Sequence, residues 1–306
     1  MASTTNVLHT KQFSTQLLEA VQVKQSALEQ ACSRKEIFKG ESLFINKIGT
    51  LELKKVDTLN SKTELTDIAN TRRKISFSTF KDTVAIDRYD QNRSEIVGLD
   101  TGYLNALKYA VERKKEEIIA EAATSKAYEG KEGTTEVAFP DTTNTLYQDA
   151  TASTNGTSNE SGTKTGLTAD KLLRGLYLLR KNMKTGNINE KIYCAISPEE
   201  ELALMQDNKI INRDFTAGAV LDKGIIGTWG GINFIRTVLL KSPAANVREV
   251  LLFTDQAICL GMPSEVITKF GENPERNFLM QMHIELSFGA ARIEDEKIIK
   301  LRVKCD

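Results

Sequence analysis

The chain is short of the residues that most enzyme sites and disulfide frameworks require. It has only two histidines and four cysteines among 306 residues. The cysteines lie far apart and form no CxxC pair, which argues against a zinc or redox site. Cys194 and Cys259 lie in apolar runs and are predicted to be buried thiols of a cytosolic protein. His9 lies in a polar terminal stretch and His283 in a strand-like segment. Neither histidine is therefore a good candidate for the base that activates a catalytic nucleophile.

The chain also lacks an excess of charge of either sign and any long apolar run. Lys plus Arg and Asp plus Glu number 41 each, which argues against a dedicated nucleic-acid binder, because such proteins carry a basic excess or patch. No apolar run approaches the roughly 18 residues of a membrane span, and the N-terminus has no apolar signal region. We therefore expect a soluble protein that is made in a cytoplasm and has no membrane partner.

Nucleotide-binding and catalytic motifs are missing as well. The sequence contains no GxxxxGK[ST], GxGxxG, HExxH or GxSxG. The glycine-rich residues 227–231 are flanked by strand-like runs and predict a tight turn rather than a phosphate loop. Acidic residues cluster at Asp82, Asp87, Asp90 and Glu95, but without the alternation of a calcium-binding loop. We expect no catalytic residue, no cofactor and no metal site, so the chain is not predicted to be an enzyme.

One long helix is the most prominent feature that is present. Between residues 92 and 130, apolar residues recur at spacings of three, four or seven, which predicts one narrow apolar face. The glycines at 98 and 102 weaken its start, so we expect a regular helix from about Thr101 to Gly130. The rest of its second half is charged, which predicts a helix that lies across the outside of the protein. The apolar face consists of Leu104, Leu107, Val111, Ile118 and Ala122.

Two strand regions joined by a polar tip predict a long β-hairpin ahead of this helix. In the first region Leu51 and Leu53 alternate with polar residues. In the second, residues 75–80 alternate after a basic cluster that begins at Arg72. A hairpin this long and this polar is unstable alone, so we expect it to need a partner surface.

The second half of the chain begins with a polar segment and two helix-start signals. Residues 130–166 are dense in Thr, Ser, Asn and Gly and predict a loop or insertion with little to bury. Thr168 is a predicted N-cap, and Ser197 is another, reinforced by Pro198 and Glu200. Both helices are therefore expected to begin at these caps.

The last third is rich in predicted strands. From Phe278 to Phe288, apolar residues alternate strictly with others, as in a long strand with one buried face. Helices and strands do not alternate as βαβ units, so the predicted fold class is α+β.

The order of these elements resembles the major capsid protein of tailed bacteriophages, the Hong Kong-phage type of shell fold that also occurs in encapsulins. Residues 74–91 resemble the hairpin's return strand running into the long helix in podovirus-like capsid proteins. Residues 191–215 and 224–237 resemble the core of the axial domain. Residues 277–303, including a Gly-Ala-Ala-Arg sequence and an acidic turn, resemble the last peripheral-domain strand and the closing strand. The ordered set covers nearly the whole chain.

The resemblance implies a phage major capsid fold with four parts. They are an N-arm at 1–35, an extended β-hairpin loop at 36–90, a peripheral domain with a spine helix at 91–186 and 263–306 that carries the 130–166 insertion loop, and an axial domain at 187–262.

The resemblance also implies a function. It predicts a structural protein of the virion that self-assembles into pentamers and hexamers of an icosahedral head, assembled in the host cytoplasm. The head would enclose double-stranded DNA without sequence-specific binding. Portal and decoration proteins would be further partners, and scaffolding would be either a separate protein or absent. An encapsulin-like compartment shell is the alternative within this fold, and a cytosolic α+β enzyme or ligand-binding protein is the alternative from another class.

Four basic residues of the hairpin are the candidate inter-subunit contacts: Arg72, Arg73, Lys54 and Lys55. We expect Arg72 and Arg73 to meet acidic surface of a neighbouring subunit, so that charge reversal at both weakens assembly. A solvated charge cluster is the alternative interpretation. Some similar shells crosslink subunits through a lysine of this loop, but nothing in the sequence indicates the activating acid or the partner Asn, so we do not expect crosslinking.

Overall fold

The computed structural model describes residues 25–36, 40–49, 51, 53, 55, 65–86, 99–151, 153–156, 164–185, 189–211, 221–222, 225–262, 267–276 and 278–305. The α-helices are α1 (Leu99–Thr124), α2 (Asp141–Asn144), α3 (Ala169–Asn182), α4 (Pro198–Met205) and α5 (Asn208–Ile211). Short 3₁₀ helices lie at Leu28–Ala31, Pro274–Arg276 and Asp295–Lys297.

The strands of the first half are β1 (Ser33–Glu36), β2 (Ser42–Ile48), β3 (Asn70–Ser76), β4 (Ser78–Ile86), β5 (Ala127–Glu129), β6 (Thr135–Val137) and β7 (Thr145–Leu146). Those of the second half are β8 (Ile192–Ile196), β9 (Leu221–Asp222), β10 (Ile225–Ile226), β11 (Thr228–Trp229), β12 (Ile232–Arg236), β13 (Val247–Thr254), β14 (Ile258–Met262), β15 (Ile267–Asn273), β16 (Leu279–Arg292) and β17 (Ile298–Lys304). The predicted α+β class is confirmed.

The chain divides into two compact units. Unit 1 consists of residues 1–25, 79–113 and 265–286, and unit 2 of residues 26–78, 114–264 and 287–306. Helix α1 and strand β16 each contribute residues to both units, so this division differs from the predicted domain boundaries near residues 91 and 263.

Unit 1 is built on the first half of β16, which pairs with β15 and with β4. Its core consists of Leu107, Met282 and Ile284, with Leu104 and Val111 packed around it. The first half of the predicted apolar face, at Leu104, Leu107 and Val111, and the alternation of the long strand are therefore confirmed here. The predicted face is not kept in the second half of the helix, where Ile118 is half-buried and the neighbouring Ile119 is 1% exposed. The alternation does not extend to the residue at which we began it: Phe278 precedes the strand, has a positive φ of 56° and is 57% exposed.

The largest sheet of unit 2 has six strands in the order β11-β12-β8-β13-β17-β7. Helix α3 packs on β17 and β13. The closing strand β17, which we predicted in the peripheral domain, pairs antiparallel with β13 of the predicted axial domain. Strand β7 pairs parallel with β17 and its Leu146 is fully buried. Part of the 130–166 segment therefore completes a sheet, and the prediction that it has little to bury was wrong.

Besides the two-stranded pair β9–β10, unit 2 contains two further sheets. One has the order β2-β3-β5-β6, and in the other the second half of β16 pairs with β14, which pairs parallel with β1. Between them Ile75, Cys259, Ala291 and Ile293 form a buried cluster. Gly289 allows this close approach, because a Cβ atom there would lie 2.1 Å from the carbonyl oxygen of Ser76.

Both predicted helix caps are confirmed. The Thr168 side chain accepts a hydrogen bond from the N–H of Lys171 at the start of α3. Ser197 and Glu200 form a reciprocal capping box at the start of α4, with Pro198 as the first helical residue. These caps satisfy N–H groups that the first turn of a helix otherwise leaves without partners.

The long helix and the hairpin depart from the predictions in detail. Helix α1 ends at Thr124, ahead of Gly130, because β5 begins at Ala127 and pairs with β3. The charged residues Lys115 and Glu116 are buried, and Lys115 lies 3.4 Å from Glu29. The side of the helix that we predicted to face solvent is thus partly covered.

The hairpin's first strand also lies elsewhere than predicted. Strand β2 is Ser42–Ile48, while Leu51 and Leu53, which we assigned to a strand, are outside any strand. Most of the predicted N-arm, residues 1–35, lies outside the described residues, and its first described helical turn is the 3₁₀ helix Leu28–Ala31.

Candidate assembly surface

Arg73, one of the predicted contact residues, is buried inside its own chain. Strand β3 carries it between β2 and β5, and it is 5% exposed. Its Nη2 donates to Oδ2 of Asp295 at 2.7 Å, and its Nη1 lies 3.8 Å from Oε2 of Glu129. A buried charge paired in this way is costly to separate from its partners. Arg73 is therefore an internal structural residue, which corrects our expectation that it meets a neighbouring subunit.

Asp295 pairs with a second buried arginine, Arg292. The Arg292 side chain is fully buried, and its Nε donates to Oδ1 of Asp295. Its Nη1 donates to the carbonyl oxygen of Ser125 at 2.8 Å, and its guanidinium lies 5.1 Å from the ring centroid of Phe139. One carboxylate therefore ties β3 to β16 and, through Arg292, to the end of α1.

The other predicted contact residues are differently placed. Arg72 is half-buried; its Nε donates to Oδ1 of Asn46 at 2.8 Å, and its guanidinium lies 5.6 Å from the ring centroid of Phe44. Lys55 is exposed, and Lys54 lies outside the described residues. The structure thus separates Arg73, which points into unit 2, from Arg72 and Lys55, which remain accessible.

Among the described residues of the hairpin, four large apolar side chains lie in solvent, and we did not predict them as contact residues. Their exposed fractions are 74% for Ile48, 58% for Leu51, 104% for Leu53 and 97% for Leu65. Single exposed apolar residues are ordinary, but four within 18 positions of one arm are typical of an interaction surface. The sequence signal was the placement of leucines beside a polar tip, which we interpreted as strand alternation.

No other kind of site is evident in the described part of the chain. Its His, Cys, Asp and Glu side chains include no group of three or more that could hold a metal ion. Cys194 and Cys259 are buried, as predicted, and burial raises the pKa of the Cys194 thiol, so this thiol is unreactive. None of the described helices has the length and apolar character needed to cross a membrane.

Comparison with known families decides the identity. A family model described as phage capsid protein matches residues 4–305. The chain belongs to the phage capsid protein family. It is a structural capsid protein of the virion rather than an enzyme, and capsid proteins of this kind assemble into a shell of many subunits. The compartment-shell alternative is not favoured.

Solved capsid structures confirm the predicted fold. The capsid of cyanophage P-SCSP1u is 17% identical in sequence, with a TM-score of 0.73 over 100% of this chain and 96% of that chain. For the capsid asymmetric unit of cyanophage Pam1 the identity is 13% and the TM-score 0.74, over 99% of each chain. For the capsid of Ralstonia phage GP4 the sequence identity is 12% and the TM-score 0.74, over 100% of this chain and 98% of that chain. A comparison with curated protein sequences finds no significant match.

Proposed function

We propose that this capsid protein forms pentamers and hexamers of an icosahedral head that encloses double-stranded DNA and is assembled in the host cytoplasm. The observation that carries the proposal is the hairpin arm, whose Ile48, Leu51, Leu53 and Leu65 are exposed. Burying one such side chain against another surface stabilises by about 1.5–3 kcal/mol, so an arm with four of them gains most by lying on a second copy.

The charge balance supports a shell that holds its genome loosely. Equal numbers of basic and acidic residues allow subunits to pair surfaces of opposite sign. A capsid without a net basic excess gains little binding free energy from the release of counterions on DNA. This property fits a protein that encloses DNA better than one that binds it tightly. Scaffolding, portal and decoration proteins are separate partners in this proposal.

The four-part division is part of the proposal. Residues 1–35 act as the N-arm, and residues 36–90 form the extended loop that lies over a neighbouring copy. The axial domain, 187–262, gathers around the fivefold and sixfold axes. Arg72, Lys55 and Lys54 are the proposed polar contacts of the extended loop, whereas Arg73 is left out because it pairs with Asp295.

The test replaces the exposed leucines of the arm. Leu51→Ser combined with Leu53→Ser should lower the yield of particles at least about tenfold, because about 1.4 kcal/mol of lost contact energy already gives that factor. Leu173→Ser, which changes a 49% exposed leucine on α3, is the matched control. Circular dichroism should show both variants folded, and electron microscopy counts the particles. An undiminished yield from the double variant would contradict the proposed role of the arm.

A further inference from the structure

A groove of about 730 Å³ lies where the β2–β3 hairpin extends beyond the shorter β5–β6 hairpin. We call it the notch. It forms because β5 pairs with β3 only at Arg73 and Lys74, after which the chain turns away at Gly130. Gly130 has a φ of +102°, which favours glycine, and its N–H donates to the carbonyl oxygen of Arg72 at 3.1 Å. The notch is therefore a defined feature of this fold.

The notch carries more positive than negative charge. Lys47, Arg72 and Lys131 line it together with one carboxylate, Glu129. The Lys47 Nζ lies 3.7 Å from Oε2 of Glu296, and both side chains are partly exposed. An exposed ion pair at this distance contributes little to stability. Lys131 is exposed and makes no ion pair with any described residue. A carboxylate arriving from outside would meet three cations.

An exposed apolar residue stands beside these cations. Ile48 lines the notch and is 74% exposed, and Leu51 follows it on the same arm. A phosphate backbone requires cations alone, whereas a polypeptide segment with an acidic and an apolar side chain matches both features. The mixed lining favours a protein occupant.

The chain itself carries a segment with that chemistry, the 3₁₀ turn Pro274–Arg276. Glu275 is exposed and pairs with no cation among the described residues, and its N–H donates to Oδ1 of Asn273 at 3.0 Å. Phe278 follows three positions later and is 57% exposed. Arg276 is also exposed, and its positive charge is complementary to that of Glu129, the carboxylate that lines the notch.

We propose that the notch of one copy receives the Pro274–Arg276 turn of a second copy. The Glu275 carboxylate lies among Lys47, Arg72 and Lys131, and Phe278 packs against Ile48. This contact rests on the proposed assembly, since it exists only where two copies meet. It names the two surfaces that assembly brings together.

Zero-length crosslinking tests the contact directly. Particles are assembled from a mixture of ¹⁵N-labelled and unlabelled protein and treated with a carbodiimide, which joins a lysine amine to a touching carboxylate as an amide. Mass spectrometry should find Lys131 or Lys47 joined to Glu275 in peptides with one heavy and one light half. Glu275→Gln should remove these peptides, whereas Glu121→Gln, at an exposed carboxylate of α1, should leave them.

Charge reversal gives an independent readout. Lys131→Glu and Glu275→Lys should each lower particle yield at least about tenfold, and the double variant should recover most of it, since close charge pairs couple by about 1.5 kcal/mol or more, which is about a factor of ten. Lys241→Glu, at an exposed lysine elsewhere in unit 2, is the control.

Three results would overturn the proposal. They are particles without mixed-isotope crosslinks at these lysines, a double variant no better than the single ones, and a Lys131→Glu variant that forms particles normally but loses nucleic acid. The last result would assign the notch to phosphate groups. If the parent protein forms no particles at all, the proposed function fails, and the contact fails with it.

Discussion

Arg73 and Asp295 are 222 positions apart in the sequence, and their side chains are joined by a 2.7 Å hydrogen bond. The same carboxylate accepts a bond from Arg292, so one acid pairs with two buried arginines from different strands. This arrangement holds the base of the hairpin arm, at β3, against the end of β16. The exposed part of the arm thus continues from a base that is held by buried ion pairs.

Removing the charge of Asp295 should destabilise the protein strongly. Asp295→Asn leaves both arginines without their shared carboxylate, and breaking a buried ion pair in this way costs about 3–5 kcal/mol. Thermal unfolding of the purified variant at matched protein concentration measures the loss.

Asp170→Asn is the matched control for that measurement. Asp170 pairs with Lys209 at 2.8 Å, but both side chains are exposed, so the change should cost no more than about 1 kcal/mol. Equal losses for the two variants would show that the Asp295 network is not a stabilising centre.

Local signals explain what the sequence predicted well. The cap residues Thr168 and Ser197 bond to groups only three positions away, so their pattern is visible in a short window. The alternation of β16 and the spacing of Leu104, Leu107 and Val111 are also local, and both were confirmed. The ordered set of such elements was enough for the family resemblance.

Long-range pairing explains what the sequence could not show. Arg73 looks like any surface arginine until its partner Asp295 is placed beside it. Leu146 lies in a polar stretch and is buried only because β7 pairs with β17, more than 150 residues later. The exposed leucines at positions 51 and 53 have an apolar pattern whose partner, in the proposed assembly, is another copy. Prediction failed where the deciding contact lies far along the chain.

The capping box of α4 should make a modest contribution to stability. Ser197→Ala removes the side chain that accepts from the first turn of the helix, and such changes cost about 1 kcal/mol. Arg248 also loses a partner, because its Nη1 bonds to the Ser197 hydroxyl at 2.5 Å. Chemical denaturation should therefore show a loss of about 1–2 kcal/mol. Ser197→Thr, which keeps the hydroxyl, should recover most of it, and a Thr variant as unstable as Ala would contradict the capping role.

Lys171 should give the protein a pH dependence on the alkaline side. The side chain is 1% exposed, and its Nζ donates to the carbonyl oxygens of Gln148 and Thr165 at 2.8 and 2.7 Å. Burial lowers the pKa of Lys171 to about 8, against an opposing influence of Asp149. Between pH 8 and the ordinary pKa of 10.5, the unfolded chain binds more protons at this residue, so its contribution to the free energy of unfolding rises with pH.

The measurement compares unfolding free energies of the parent protein and Lys171→Met between pH 7 and 10. The slope of the parent should exceed that of the variant above pH 8, by at most about 1.4 kcal/mol per pH unit for one proton. Other groups titrate in this range, but they are shared by both proteins and cancel in the difference. Parallel curves would show that Lys171 does not titrate there.

Gly289 should be irreplaceable, for a steric reason that the Gly-Ala-Ala-Arg sequence does not reveal by itself. In Gly289→Ala the added Cβ would lie 2.1 Å from the Ser76 carbonyl oxygen and 3.4 Å from the Phe77 ring. The nearest atom belongs to the backbone, so β3 or β16 must shift, and overpacking of this kind costs about 1–3 kcal/mol or more. Thermal unfolding should show the loss. Gly227→Ala meets nothing within 4 Å and should leave stability within about 0.5 kcal/mol.

The Gly289 and Asp295 substitutions should not be additive. Gly289 lies in β16 three positions before Arg292, so the shift of the strand would also disturb the pairing of Arg292 with Asp295. Gly289→Ala and Asp295→Asn together should therefore cost less than the sum of their separate losses. Strict additivity would mean that the two sites are independent.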